Sequence, residues 1–126
     1  LKYLKRAGRI SASKALLGTV LSIKPIIISN QNGENVSTEK AKGRINSMRR
    51  MAAMTKELYT GNGISDIFLS HADCAEDAER LKGYILELMP NAKITIDLLN
   101  PIMGASCGPK TLTVYFVGKE KPNTEN

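Results

Sequence analysis

Apolar residues recur along this chain at two different periods, and that mixture limits the fold more than any other feature. At helical spacing stand Ile45, Met48, Ala52, Thr55 and Tyr59, with Met51 and Leu58 beside them. A second helical set is Ala75, Ala78, Leu81, Ile85 and Leu88, stopped by Pro90-Asn91 after Met89. Between and around these lie short β-branched or alternating runs: Lys24–Ile28, Ile64–Ser70, Ile94–Leu98 and Thr111–Val117. Asn30-Gln31-Asn32-Gly33 reads as a turn, returning through a short strand Asn35-Val36-Ser37. Helices separate only some strands, and hairpins are expected at both ends. The order predicts an α+β domain, a mostly antiparallel sheet with helices packed on it.

Local signals place the ends. Leu1–Arg6 reads as the last turns of a helix already under way, closed at Gly8, and this predicts a preceding part of the protein. Ser11 is placed to cap a short helix, Ala12–Leu17, ending near Gly18. Ser37 or Thr38 is expected to cap the helix that carries Ile45, with Glu39 in its first turn and Gly61-Asn62-Gly63 beyond its end. Asp73 with Glu76 resembles a capping box. Asn100–Lys110 is expected to begin extended and become a small-residue loop.

At 126 residues the chain suits one compact domain, and no apolar run reaches the roughly 18–20 residues of a membrane span. Two cysteines, Cys74 and Cys107, make no disulfide framework and fit a reducing cytoplasm. The Asn35-Val36-Ser37 sequon matters only in a secretory pathway. Net charge is +6 but uneven, with 12 Lys/Arg against 3 Asp/Glu in residues 1–60. Such a basic half suits nucleic acid, an anionic ligand or an acidic partner, or is a solvated face. Lys42, Arg49 and Lys56, seven apart, predict a basic stripe on one helix flank, with Arg44 nearer the apolar edge. No basic-aromatic interleaving suggests stacked bases, so nucleic-acid binding rests on charge alone.

The chain has one histidine, His71, at a strand-to-helix turn. His71-Ala72-Asp73-Cys74 has no recognised metal spacing, so no metal or cofactor is expected. A Cys107–His71 nucleophile pair would need the two adjacent in space, and a structural, turn-capping role for His71 is the expectation. No Walker loop, dinucleotide fingerprint or nucleophile elbow occurs. The stretch Gly104–Thr111 is the most informative for binding. Its glycines allow close approach, its backbone N–H groups can form a concave anion site, and Ser106 and Thr111 add hydroxyls. A plain loop entering an edge strand is the simpler alternative.

Five pieces in order resemble the C-terminal domain of the DegV family over essentially the whole chain. They are Leu4-Lys5-Arg6-Ala7-Gly8-Arg9-Ile10-Ser11; Leu16-Leu17-Gly18 with Ile23-Lys24-Pro25-Ile26; Asn32-Gly33-Glu34 with Gly43-Arg44; Ser70-His71-Ala72-Asp73; and Pro101–Pro109. The resemblance implies a two-domain protein whose N-terminal α/β domain lies outside residues 1–126. It implies a long-chain fatty acid held between the domains and presented to a separate fatty-acid kinase subunit for acyl-phosphate formation and phospholipid synthesis. The carrier itself would be no enzyme. On that resemblance the candidate ligand-binding residues are Arg9, Gly104, Ser106, Gly108, Lys110 and Thr111. Ile10, Leu16, Leu17 and Ile23 are candidates to line the acyl chain, and Arg9, Arg44 and Arg49 to meet the partner. Two positions depart from the family pattern: Ser106 stands where a histidine is usual, and Lys110 where a glycine is. Ser106 and Lys110 are expected to replace the lost imidazole in part. An exposed apolar inter-domain face would also favour self-association. The alternatives are a hydrolase or transferase using Cys107 or His71, and a regulatory module binding nucleic acid through the basic half.

Overall fold

The computed structural model describes residues 3, 6–8, 23–61 and 66–119. Strands β1 (Ile23–Ser29) and β2 (Asn35–Lys42) form an antiparallel hairpin. Its turn is closed by Asn30, which is 1% exposed and whose Oδ1 accepts from the N–H groups of Asn32 and Glu34, both at 2.9 Å. Gly33 adopts the φ of +79° that this turn requires.

Strand β2 runs well past the expected Ser37, so neither Ser37 nor Thr38 caps a helix. Thr38–Lys42 alternates between exposed and half-buried positions; Glu39–Lys42 pairs back to Ile23–Ile26, and Thr38 is the extra residue of a bulge between Ile26 and Ile27. The partner strand, remote in sequence, decides here over the local cap signal. Glu39 therefore lies in a strand, where Arg50 grips both its oxygens at 2.6 and 2.8 Å and holds its carboxyl below the usual carboxylate range.

The chain turns through Gly43 (φ +87°) into α1 (Arg44–Leu58). Met48, Ala52 and Thr55 are buried as the spacing predicts, whereas Ile45 is 49% exposed. Tyr59 falls beyond the helix and packs on Phe116, ring centroids 6.2 Å apart. Strand β3 (Asp66–His71) leads to α2 (Ala75–Leu88), β4 (Lys93–Leu98), α3 (Pro101–Cys107) and β5 (Leu112–Tyr115).

The chain is α+β, but its strands form two sheets: the β1–β2 ribbon and a three-stranded sheet ordered β4-β3-β5. Two of the three pairings are antiparallel; β3 and β4, joined through α2, are parallel. The core lies between this sheet and the two long helices. Ile67 and Leu69 of β3 meet Met48 and Ala52 of α1 and Leu81 and Ile85 of α2, all at most 1% exposed. The far face of the sheet keeps Phe68 and its cross-strand partner Tyr115 about half exposed.

Segment 101–107 is a helix, not the expected loop. Asn100 Oδ1 accepts from Met103 N–H at 2.8 Å, and Pro101 fills the first helical position, where its missing N–H costs no bond.

Candidate functional site

The parallel strands β3 and β4 end side by side at His71 and Leu98. The chain then breaks sharply into α2, and an open cleft of about 390 Å³ lies at this break. His71, Asp73, Cys74, Glu76, Leu98 and Lys110 are among its walls. Clefts beyond the carboxyl ends of parallel strands are a common place for ligands, because the strands leave and the loops diverge there.

His71 does act as a turn cap. Its Nδ1 accepts from Cys74 N–H at 3.1 Å. The capping box does not form: Cys74 occupies the cap position of α2, no side chain caps the helix, and Asp73 takes a φ of +56°. The bond from Cys74 to His71 fixes a turn that leaves Asp73 just outside the helix.

The break is tied to the α3–β5 turn by two backbone bonds. Ala72 N–H donates to Thr111 C=O at 2.9 Å and Lys110 N–H to Ala72 C=O at 2.6 Å. Arg44, the first residue of α1, closes the arrangement from the side. Its Nε donates to Asp77 Oδ2 at 3.0 Å and its Nη2 to Lys110 C=O at 2.7 Å. Arg44 was expected at a partner surface; the structure uses it to clamp α2 and the α3–β5 turn together. Burial pushes the Cys74 thiol up despite this guanidinium, and burial also pushes the Cys107 thiol up. A nucleophilic thiol needs the opposite shift.

The stretch Gly104–Thr111 offers no open cradle of N–H groups. Gly104 N–H bonds Asn100 C=O, Gly108 N–H bonds Gly104 C=O, and Lys110 N–H is taken by Ala72. Thr111 Oγ1 donates to Gly108 C=O at 2.9 Å. Ser106 is half-buried in α3 and is not among the residues that line the cleft with Lys110. Gly108, at φ +90°, sits against the Tyr3 ring, which a β-carbon there would strike. Ile23 opens β1, half-buried. Arg49 lies over the Tyr84 ring at 4.4 Å. Lys42 belongs to β2, so Lys42, Arg49 and Lys56 form no single helical stripe. Arg9, Ile10, Leu16 and Leu17, and the helix expected at Ala12–Leu17, lie outside the described residues.

One apolar feature had no local sequence signal. Leu98, which lines the cleft, is 68% exposed, and Ile102 and Met103 of α3 are 81% and 39% exposed. Among the described residues no helix is long and apolar enough to cross a membrane.

The molecule is thus an α+β domain with an open cleft at its strand ends and exposed apolar side chains at Leu98, Ile102 and Met103. Residues 1–119 match the sequence profile of the DegV family of uncharacterised proteins. A DegV domain-containing protein of Clostridium perfringens is 40% identical over 121 residues, 96% of this chain and 42% of the relative. The chain belongs to the DegV family, and it spans about two fifths of the length of such relatives. Among solved structures it resembles a DegV family protein of Eubacterium eligens loaded with heptadecanoic acid (TM-score 0.80, 16% identity, 92% of this chain and 41% of that one). It also resembles the Fatty Acid Kinase (Fak) B3 protein of Streptococcus pneumoniae loaded with linoleic acid (TM-score 0.71, 23% identity, 86% of this chain and 38% of that one).

Proposed function

We propose that this chain is the C-terminal wall of a two-domain carrier that binds a long-chain fatty acid. The observation that carries the reading is the shared fold with DegV proteins solved with heptadecanoic and linoleic acid. The exposed apolar side chains of Leu98, Ile102 and Met103 support it. An acyl chain laid on such side chains gains about 0.8 kcal/mol for each methylene fully buried, so a second wall is needed for firm binding. An N-terminal α/β domain supplies that wall, and Lys110 and Ser106 of this chain serve the head group. The carrier works in the cytoplasm and does no chemistry itself. It presents the acid to a kinase subunit that forms the acyl-phosphate for phospholipid synthesis, a role supported by the likeness to the pneumococcal Fak B3 protein.

Native mass spectrometry with lipid extraction on the full-length protein purified from bacteria tests the first step. A co-purifying fatty acid is expected, and weaker retention in a Ser106→Ala/Lys110→Ala double variant. A full-length protein that carries no lipid and takes up none on addition would overturn the proposal.

A further inference from the structure

We propose that His71 and the start of α2 form a binding site for an oxyanion, a carboxylate or a phosphate. His71 is 8% exposed, and its Nδ1 is an acceptor because Cys74 N–H points to it. A neutral imidazole that accepts at one nitrogen carries its proton at the other, so Nε2 is a donor. Nε2 has no hydrogen-bond partner among the described residues, yet none of their fully buried side-chain polar atoms lacks one. The Nε2–H group is therefore not sealed in the core; it opens to the cleft that His71 lines.

The second donor set faces the same space. Helix α2 is 14 residues long and no side chain caps it. The N–H groups of Ala75, Glu76 and Asp77 have no partner within the helix, and these three residues line the cleft with His71. The positive end of the helix dipole lies there too. Lys110 also lines the cleft and carries an ammonium that makes no ion pair among the described residues.

The acidic side chains around the cleft set its limits. Asp77 is neutralised by Arg44 at 3.0 Å. Asp73 and Glu76 are exposed, where water and salt screen them. They weaken anion binding without removing the donors. An oxyanion satisfies Nε2–H and the helix N–H groups at once, whereas a cation meets only the exposed carboxylates and leaves the imidazole donor unpaired. This inference does not rest on the fatty-acid reading, since a protein that carries no acyl chain presents the same donors.

The full-length protein is labelled with ¹⁵N at histidine and backbone. The His71 signals are assigned as those that vanish in a His71→Asn variant. The imidazole of His71 is expected as the Nε2–H tautomer. Titration with inorganic phosphate and, separately, with acetate is compared with chloride at equal ionic strength. Movement of His71 Nε2 and of the Ala75–Asp77 amides with either oxyanion supports the site. Response to phosphate alone assigns a phosphate group, and response to acetate alone a carboxylate head group. His71→Asn keeps an acceptor for Cys74 N–H but withdraws the donor, and should weaken oxyanion binding about tenfold or more, the loss of one charge-assisted bond. Glu76→Gln, which removes an exposed carboxylate beside the donors, should strengthen it. An Nδ1–H tautomer, equal shifts with chloride, or unchanged affinity in both variants would overturn the proposal.

Discussion

Replacing Lys110 by glycine should stabilise the protein. Lys110 is held at φ +65°, in the left-handed region, by bonds on both sides of its peptide: its N–H to Ala72 and its carbonyl to Arg44. With both groups fixed, the residue cannot relax to negative φ without losing them. A side chain in that region costs about 1–2 kcal/mol relative to glycine. Glycine returns about 0.4–1 kcal/mol of that through the greater freedom of the unfolded chain. The Lys110 ammonium makes no ion pair among the described residues, so its loss adds no large cost. The net gain is about 0.5–1 kcal/mol, or roughly 2–4 °C in Tm for a domain of this size. Urea unfolding of the wild type, Lys110→Gly and Lys110→Ala separates the causes. The glycine variant should raise the midpoint at unchanged slope, and the alanine variant should not, because alanine keeps the β-carbon. A glycine midpoint at or below wild type would refute the strain argument. Equal gains in both variants would assign the effect to charge instead.

Four further outcomes follow from the same contacts. Leu81→Ala removes a fully buried side chain at the meeting of α1, α2 and β3, and should cost about 2–5 kcal/mol by urea midpoint. Arg44→Ala should cost only about 1 kcal/mol, since the Asp77 pair is partly exposed, but should speed amide exchange at Lys110 and Ala72 far more than at Leu69. Gly108→Ala should lower Tm by several degrees, because φ is +90° and the new methyl meets the Tyr3 ring. Cys74 and Cys107 should alkylate slowly at neutral pH. Their pKa values are raised in the folded state, so that state keeps its protons longer than the unfolded one. Their stabilising contribution is whole below the ordinary thiol pKa and declines as pH rises through the raised values. Urea midpoints on the alkaline side should fall less in a Cys74→Ser/Cys107→Ser double variant.

What the sequence could show depended on where each residue's partners lie. The second long helix, the central strand and the capping role of His71 were legible, because their signals are contained within a few neighbouring residues. Strand β2 was not. Glu39–Lys42 has almost no apolar residue, and its strand character comes from pairing with Ile23–Ile26 more than ten positions earlier. Helix α3 was legible and misread: Asn100-Pro101 is a cap followed by the residue best suited to the first helical position, while Gly104 and Gly108 after it are poor helix formers that favour a loop reading.

The same rule explains the cleft. Arg44 meets Asp77 and the Lys110 carbonyl 33 and 66 residues away, so no spacing in the chain marks it as a clamp. Lys110 was expected to serve a head group and marked as a departure from glycine, and the structure gives that departure a physical meaning. The backbone at this position still takes the conformation that suits glycine, held by Ala72 on one side and Arg44 on the other. A lysine can stand there because those two bonds offset the strain of its β-carbon. Arg44 and Lys110 should therefore be coupled: in an Arg44→Ala background, Lys110→Gly should gain less stability than in the wild type, since a freed carbonyl lets the lysine relax. Equal gains in the two backgrounds, by a double-mutant cycle, would show that Ala72 alone holds the turn.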